Sequence, residues 1–131
     1  MATLMADAER NALADLQASR ITELSLHTES PGITGANEAV GGTPAYARKA
    51  VTFTAAGAQG VLGASLQPAT VGIAWSSEVT FDVPAGSYTH WGAWGATSTY
   101  RIGNTLLPGT QSPTSQSQIR HSIGVGGVVG I

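Results

Sequence analysis

The chain has 131 residues, with six Lys and Arg against eight Asp and Glu, and it contains no cysteine. That length suits one domain. A net charge of −2 supplies none of the basic stripe that nucleic-acid binding needs. The lack of thiols excludes disulfides and thiolate metal sites and fits synthesis in a reducing cytosol, and no apolar run is long enough to span a membrane.

Residues 3–19 read as a helix, rich in Ala and Leu and free of Gly and Pro. Thr3 is placed to cap it, and Asp7 and Glu9 sit where the helix dipole favours acids. These same acids interrupt any apolar leader, so no signal peptide is expected. Leu4 or Met5, Ala8, Ala12 or Leu13, and Leu16 form one apolar stripe, with Asp7, Arg10, Asn11 and Gln17 opposite. The stripe is narrow, so the helix packs on its own sheet or docks on a neighbouring subunit. Leu4, Leu13 and Leu16 are its candidate subunit contacts.

Residues 20–28 read as the first strand. A turn at Ser30, Pro31 and Gly32 opens a Gly-rich loop that runs to Thr43 and closes at Pro44. A loop of that length between strands is uncommon unless it covers or binds something. Residues 45–55 are expected as the second strand, with Ala47, Val51 and Phe53 on one face. A weak strand follows at 61–67. Alternating runs at 70–76, 77–83, 88–95, 98–102 and 119–125 are punctuated by Pro68, Pro84-Ala85-Gly86 and Pro108-Gly109. The tail is apolar and Gly-rich. Many short strands with turn signals between them predict a mainly β protein: an antiparallel β-sandwich or small barrel (21–131) preceded by one N-terminal α-helix (1–20).

Charge is unevenly spread. None lies between Lys49 and Glu78, and after Asp82 only Arg101 and Arg120 are charged. So much uncharged surface favours association. A cyclic homo-oligomer, a trimer for preference, is expected.

The wording S-L-H-T-E-S-P-G-I-T-G-A-N-E (25–38), then G-G-T-P-A-Y-A-R-K-A (41–50), then V-T-F-D-V-P-A-G (79–86) resembles a family of small virion proteins of tailed bacteriophages. These are common in phages of actinobacteria and are labelled tail-fibre, minor tail or minor capsid proteins. The resemblance covers residues 25–86, with a weaker echo to Trp94. It implies a virion structural protein, assembled in the host cytoplasm and lacking catalytic residues. Its partners would be copies of itself and other virion proteins, with no nucleic acid and no membrane. Capsid decoration is the favoured place and a tail component the alternative. Pro31, Asn37 and Glu38 are the loop's candidate contact residues.

His27, His90 and His121 are the only histidines. No pair has the helical spacing of a zinc site, so no metal and no cofactor is expected. His27 and Glu29 fall on one face of a strand, and Asp82 and His90 could meet across a hairpin at Pro84–Gly86, as an ordinary structural pair. No G-x-S-x-G elbow and no P-loop occurs. Tyr88, Trp91 and Trp94 cluster with His90. Exposed, they would form a sugar-stacking platform; alternation instead sends at least one Trp into the core or an interface.

Overall fold

The computed structural model describes residues 5–62, 65–106 and 109–126. Leu4, the Thr3 cap and most of the Gly-rich tail lie outside them. One helix, α1 (Asp7–Ser19), precedes the strands β1 (Glu23–His27), β2 (Lys49–Ala50), β3 (Gly60–Leu62), β4 (Ser65–Gln67) and β5 (Ile73–Trp75). Then come β6 (Val79–Val83), β7 (His90–Gly95), β8 (Thr99–Thr105), β9 (Ser117–His121) and β10 (Gly124–Gly126). The chain is mainly β with one N-terminal helix, as the sequence predicts. The strands form one four-stranded sheet, ordered β2-β1-β7-β8, and three pairs: β5 with β10, β3 with β4, and β6 with β9.

These elements group into two compact units, so the expected 21–131 region is divided between them. The first unit holds Met1–Arg20, Val51–Glu78 and His121–Ile131. Here α1 packs on β5 and β10. Ala14 and Ala18 are the buried positions of the helix, and Gly126 lets the helix come close: a Cβ there would lie 2.7 Å from the Ala14 methyl. Two polar side chains fix the docking. Asn11 Oδ1 accepts the Gly72 N–H (2.7 Å) and Asp15 Oδ1 accepts the Ala56 N–H (2.7 Å).

The expected apolar stripe is therefore not the packed face. Ala8 and Ala12 are exposed, Leu16 is 58% exposed, and Leu13 is only half-buried. Asn11, expected on the outer face, turns inward to the N–H of Gly72 in the turn before β5. In an Ala-rich helix the two faces differ little in hydrophobicity, so unpaired loop N–H groups that need acceptors decide the orientation.

The second unit holds Ile21–Ala50 and Val79–Arg120. β1 pairs antiparallel with β7, Ser25 opposite Gly92 and His27 opposite His90. Leu24 and Leu26 of β1 and Phe81 and Val83 of β6 are fully buried. Two expectations fail here. The strand expected at 45–55 shrinks to Lys49–Ala50 with an isolated bridge from Phe53 to Ser76, because the Tyr46 and Arg48 side chains are drawn to Glu38. The turn at 84–86 does not close a hairpin. β6 pairs with β9 and β7 with β1 and β8, so Asp82 meets Gln118 (3.2 Å), not His90.

The β7–β8 connection carries Thr97 and Ser98 at φ 59° and 55°. L-residues adopt this left-handed conformation at a cost of about 1–2 kcal/mol each, more for β-branched Thr. Replacing Thr97→Asn together with Ser98→Gly removes most of that conflict. The double variant should raise unfolding free energy by about 1–2 kcal/mol, read as a higher urea midpoint at unchanged slope.

Candidate functional site

The period of two along β1 puts Ser25 and His27 on one face and Leu24 and Leu26 on the other. The first pair has no exposed surface at all. Opposite them stands Gly92, and the missing side chain matters: a Cβ there would sit 2.6 Å from both His27 Nε2 and Ser25 Oγ. Into this space the two polar groups fold together. Ser25 Oγ lies 2.7 Å from His27 Nε2, His27 Nδ1 lies 2.6 Å from the Ala36 carbonyl oxygen, and Trp94 Nε1–H donates to Ser25 Oγ over 2.8 Å.

The tautomer follows from the partners. A carbonyl only accepts, so Nδ1 carries the proton and donates to Ala36. Nε2 is then the acceptor of the Ser25 O–H. Ser25 Oγ in turn accepts from Trp94. The chain runs in one direction, with every polar atom in it satisfied.

Ala36 belongs to the segment 28–48, which lies over this face of β1, β7 and β8. It is an ordered structure rather than a free loop. Glu38 forms a bridge with His27, and the Ala39 N–H donates to the Leu26 carbonyl (2.9 Å). Pro31 is buried, and a Cβ on Gly103 would meet its ring at 2.7 Å. Gly35, at φ +79°, has Trp94 and Tyr100 so close that a Cβ would come within 2.6 Å and 2.9 Å of them. The Tyr100 hydroxyl donates to the Gly32 carbonyl (3.2 Å), and its ring meets Trp94 edge-on at 5.2 Å. Farther along, Gln116 accepts from the Thr43 N–H and donates to the Pro44 carbonyl, each at 3.0 Å.

Charge completes the anchorage. Arg48 pairs with Glu38 through two nitrogens (Nε to Oε2 3.0 Å, Nη2 to Oε1 2.9 Å) and rests over the Trp94 ring at 3.5 Å. Tyr46 donates its O–H to Glu38 (2.9 Å) and accepts the Leu26 N–H (3.0 Å). The hydrogen bond to Glu38 raises the Arg48 pKa, and burial raises that of Tyr46. The pair is about one-fifth exposed on each side, so its worth comes from bidentate geometry and ring stacking rather than from charge alone.

Two large apolar side chains leave this tethered segment for solvent: Ile33 is 95% exposed and Val40 80%. Asn37 is exposed and held at φ 63°, its side chain donating to the Ser30 carbonyl (3.0 Å). Among the expected contact residues, then, Asn37 faces solvent, Pro31 is buried, and Glu38 spends its carboxylate inside the molecule. Tyr88, Trp91 and Trp94 are all buried. These rings are interior, in keeping with the expectation that at least one Trp enters the core, and they offer no exposed platform for sugar stacking. Trp94 lies between Arg48, Tyr100 and Ser25, and the Tyr88 hydroxyl donates to the Pro84 carbonyl (2.8 Å).

The Ser25–His27 contact has the spacing of a nucleophile and its base, but its surroundings do not suit that chemistry. The serine oxygen already accepts from Trp94, the imidazole is oriented by a carbonyl instead of a carboxylate, and neither residue reaches solvent. No group of three His, Asp or Glu among the described residues could hold a metal ion. Sequence reading missed Ser25, Tyr46, Arg48 and Gly92. The signal for Ser25 was its place two residues before His27 on the same strand face. Comparison with known proteins finds no matching family model, no matching curated protein and no matching solved structure.

Ser25→Ala leaves the buried Trp94 N–H and His27 Nε2 without partners. It should cost about 2–4 kcal/mol, seen as a lower urea midpoint. A second expectation concerns pH. Burial lowers the His121 pKa from 6.5 to about 4. The unfolded chain takes up this proton below about 6.5 while the fold stays neutral. Stability is thus full above that pH and falls by ~3 kcal/mol as pH drops to about 4. Denaturation at a series of pH values checks this, and His121→Leu should flatten the slope.

Proposed function

We propose that the protein is a non-enzymatic structural component of a tailed-phage particle, seated on its exterior as a capsid decoration protein. The 28–48 segment is its contact surface. The observation that carries this reading is the exposure of Ile33 and Val40 on a segment that is otherwise tied down along its length. Ordering a loop before it binds removes an entropic cost from association. Burying the two side chains would contribute about 3–6 kcal/mol per copy. The two sequence blocks at 25–38 and 41–50 that resemble phage virion proteins cover this segment and its anchors: Ser25, His27, Pro31, Gly35, Ala36, Glu38, Tyr46 and Arg48.

In this reading the scaffold is a small β-sandwich built from the strands of the second unit. The partners are other virion proteins and further copies of the chain in a cyclic homo-oligomer, a trimer for preference. Strength comes from many modest contacts acting together, and a protein that binds only the assembled shell stabilises it.

Immunogold labelling of intact particles tests the location. Gold over heads supports decoration; gold at tails moves the protein to the tail. Binding tests the surface. Ile33→Asp with Val40→Asp should leave the unfolding free energy from urea titration unchanged within about 0.5 kcal/mol. It should weaken attachment to particles depleted of the protein by about 100-fold or more. Unchanged attachment would remove the segment from the contact role.

A further inference from the structure

The geometry points to His27 as a proton-operated latch on the 28–48 segment: protonation of its enclosed ring in mild acid favours release of that segment from β1 and β7. The proposal deepens the contact role given to this segment and rests on it for its biological consequence. The latch itself is a property of the isolated chain.

Three features make the ring a latch rather than an ordinary buried histidine. It is the junction of the two parts, because Nδ1 holds Ala36 of the segment while Nε2 holds Ser25 of the strand. It has no exposed surface, and the segment is what covers it: the Ala36 carbonyl, the bridge to Glu38 and the Ala39–Leu26 hydrogen bond all come from that side. Its acceptor nitrogen is already occupied by a hydroxyl that has its own obligations. A proton on Nε2 would turn that nitrogen into a donor. Ser25 Oγ can accept from both Nε2 and Trp94, but the Ser25 hydrogen then needs a new acceptor. Closed, the site meets protonation with a buried charge and a displaced hydroxyl. Open, water solvates both.

The charged and titratable groups acting on the ring are Glu38 and Arg48 of the segment and His90 of β7. Loss of hydration is the largest influence and lowers the His27 pKa; the Ala36 carbonyl and Glu38 oppose it, and His90 and Arg48 reinforce it. Glu38 cannot offset the burial because its carboxylate is shared with Arg48 and Tyr46. The sign follows. The ring in the open segment titrates near its ordinary value of about 6.5, and the closed ring titrates lower. Above about pH 6.5 the proton has no effect on the equilibrium. Below it the ratio of open to closed rises by up to tenfold per pH unit, until the closed ring also titrates.

The test is NMR on the whole chain between pH 7.5 and 5.0. It follows the His27 imidazole carbons together with amide-exchange protection, corrected for intrinsic rates. Ala39, whose N–H bonds Leu26, reports on the segment; the amides of β6 (Val79–Val83), which pairs with β9 outside the segment's sheet, report on unfolding of the unit as a whole. The expected result is an Ala39 protection factor that falls several-fold to tenfold per pH unit below 6.5, ahead of β6 and in step with His27. His27→Asn keeps a side-chain N–H in reach of Ala36 and cannot titrate, so its Ala39 protection should be flat over the same range. Three results would overturn the latch: His27 titrating at its ordinary value with Ala39 protection unchanged, Ala39 and β6 losing protection in parallel, or an undiminished pH step in the variant. Should the variant not fold, the first two still decide. Particle binding plays no part in this readout, so the latch and the contact role fail separately.

Discussion

The hydrogen bond from His27 Nδ1 to the Ala36 carbonyl (2.6 Å) is the constraint from which the rest of the second unit follows. It fixes the imidazole tautomer, which fixes Ser25 as donor to Nε2, which leaves Ser25 Oγ to accept from Trp94. Trp94 so placed offers its ring face to Arg48, Arg48 takes Glu38, and Glu38 takes the Tyr46 hydroxyl, which returns to the strand at the Leu26 N–H. The path begins at His27 and ends one residue away. A neutral hydrogen bond of this kind adds about 1 kcal/mol net, while an orphaned buried partner costs about 1–3 kcal/mol. A network of this sort therefore acts mainly through the penalty for breaking it. It selects one position for the segment far more sharply than it adds to stability.

Steric room is the other half of the arrangement. The 28–48 segment can lie flat on the sheet only where the sheet lacks side chains, and two strands supply that room at Gly92 and Gly103. At Gly35 the reverse holds: the segment gives up its own side chain so that the Trp94 and Tyr100 rings can reach its backbone. The covered face is polar where most covered faces are apolar. A loop brings some carbonyls and N–H groups that find no partner within it, and an apolar face would leave the Ala36 carbonyl without its His27 donor. Outside this cover the free edge of β8 is guarded. A register shift near Trp94 places an extra residue, Arg101, in the strand, and Asn104 Oδ1 takes the Thr105 N–H (2.8 Å). Both features discourage a further strand from adding there.

Where one physical effect ruled, the sequence was readable. Alternation located β1, β6 and β7 to within three residues, because each has a buried face of large side chains to impose register. Where two effects competed, it was not. The orientation of α1 turned on Asn11 and Asp15 reaching backbone N–H groups from distant loops, which a count of apolar positions cannot register. The strand expected at 45–55 failed because Tyr46 and Arg48 are of greater use to Glu38 than to a sheet ladder. Alternation places at least one Trp of the aromatic cluster inside, but Tyr88 precedes β7 and turns inward to the Pro84 carbonyl, so all three rings are interior. At the site itself the pattern S-x-H was visible as two polar residues on one strand face. Nothing local said that Gly92, almost seventy residues on, would stand opposite and clear the space for them.

The exposed apolar residues take their meaning from what surrounds them. An Ile or Val on the surface of a mobile loop is ordinary and needs no explanation. Ile33 and Val40 differ because the backbone that carries them is fixed by hydrogen bonds, an ion pair and a stacked ring, while their side chains remain in water. Fixing backbone costs about 1–2 kcal/mol per residue. The internal contacts of the segment offset that cost in the free chain, so a partner would not have to. In the proposed virion role this matters more than the size of either side chain. A particle binds many copies, each copy's saving in ordering entropy counts separately, and modest single contacts become firm through number. A proton-sensitive anchor beneath the segment would then change all the copies together, since the acid that loosens one segment reaches every copy on the surface.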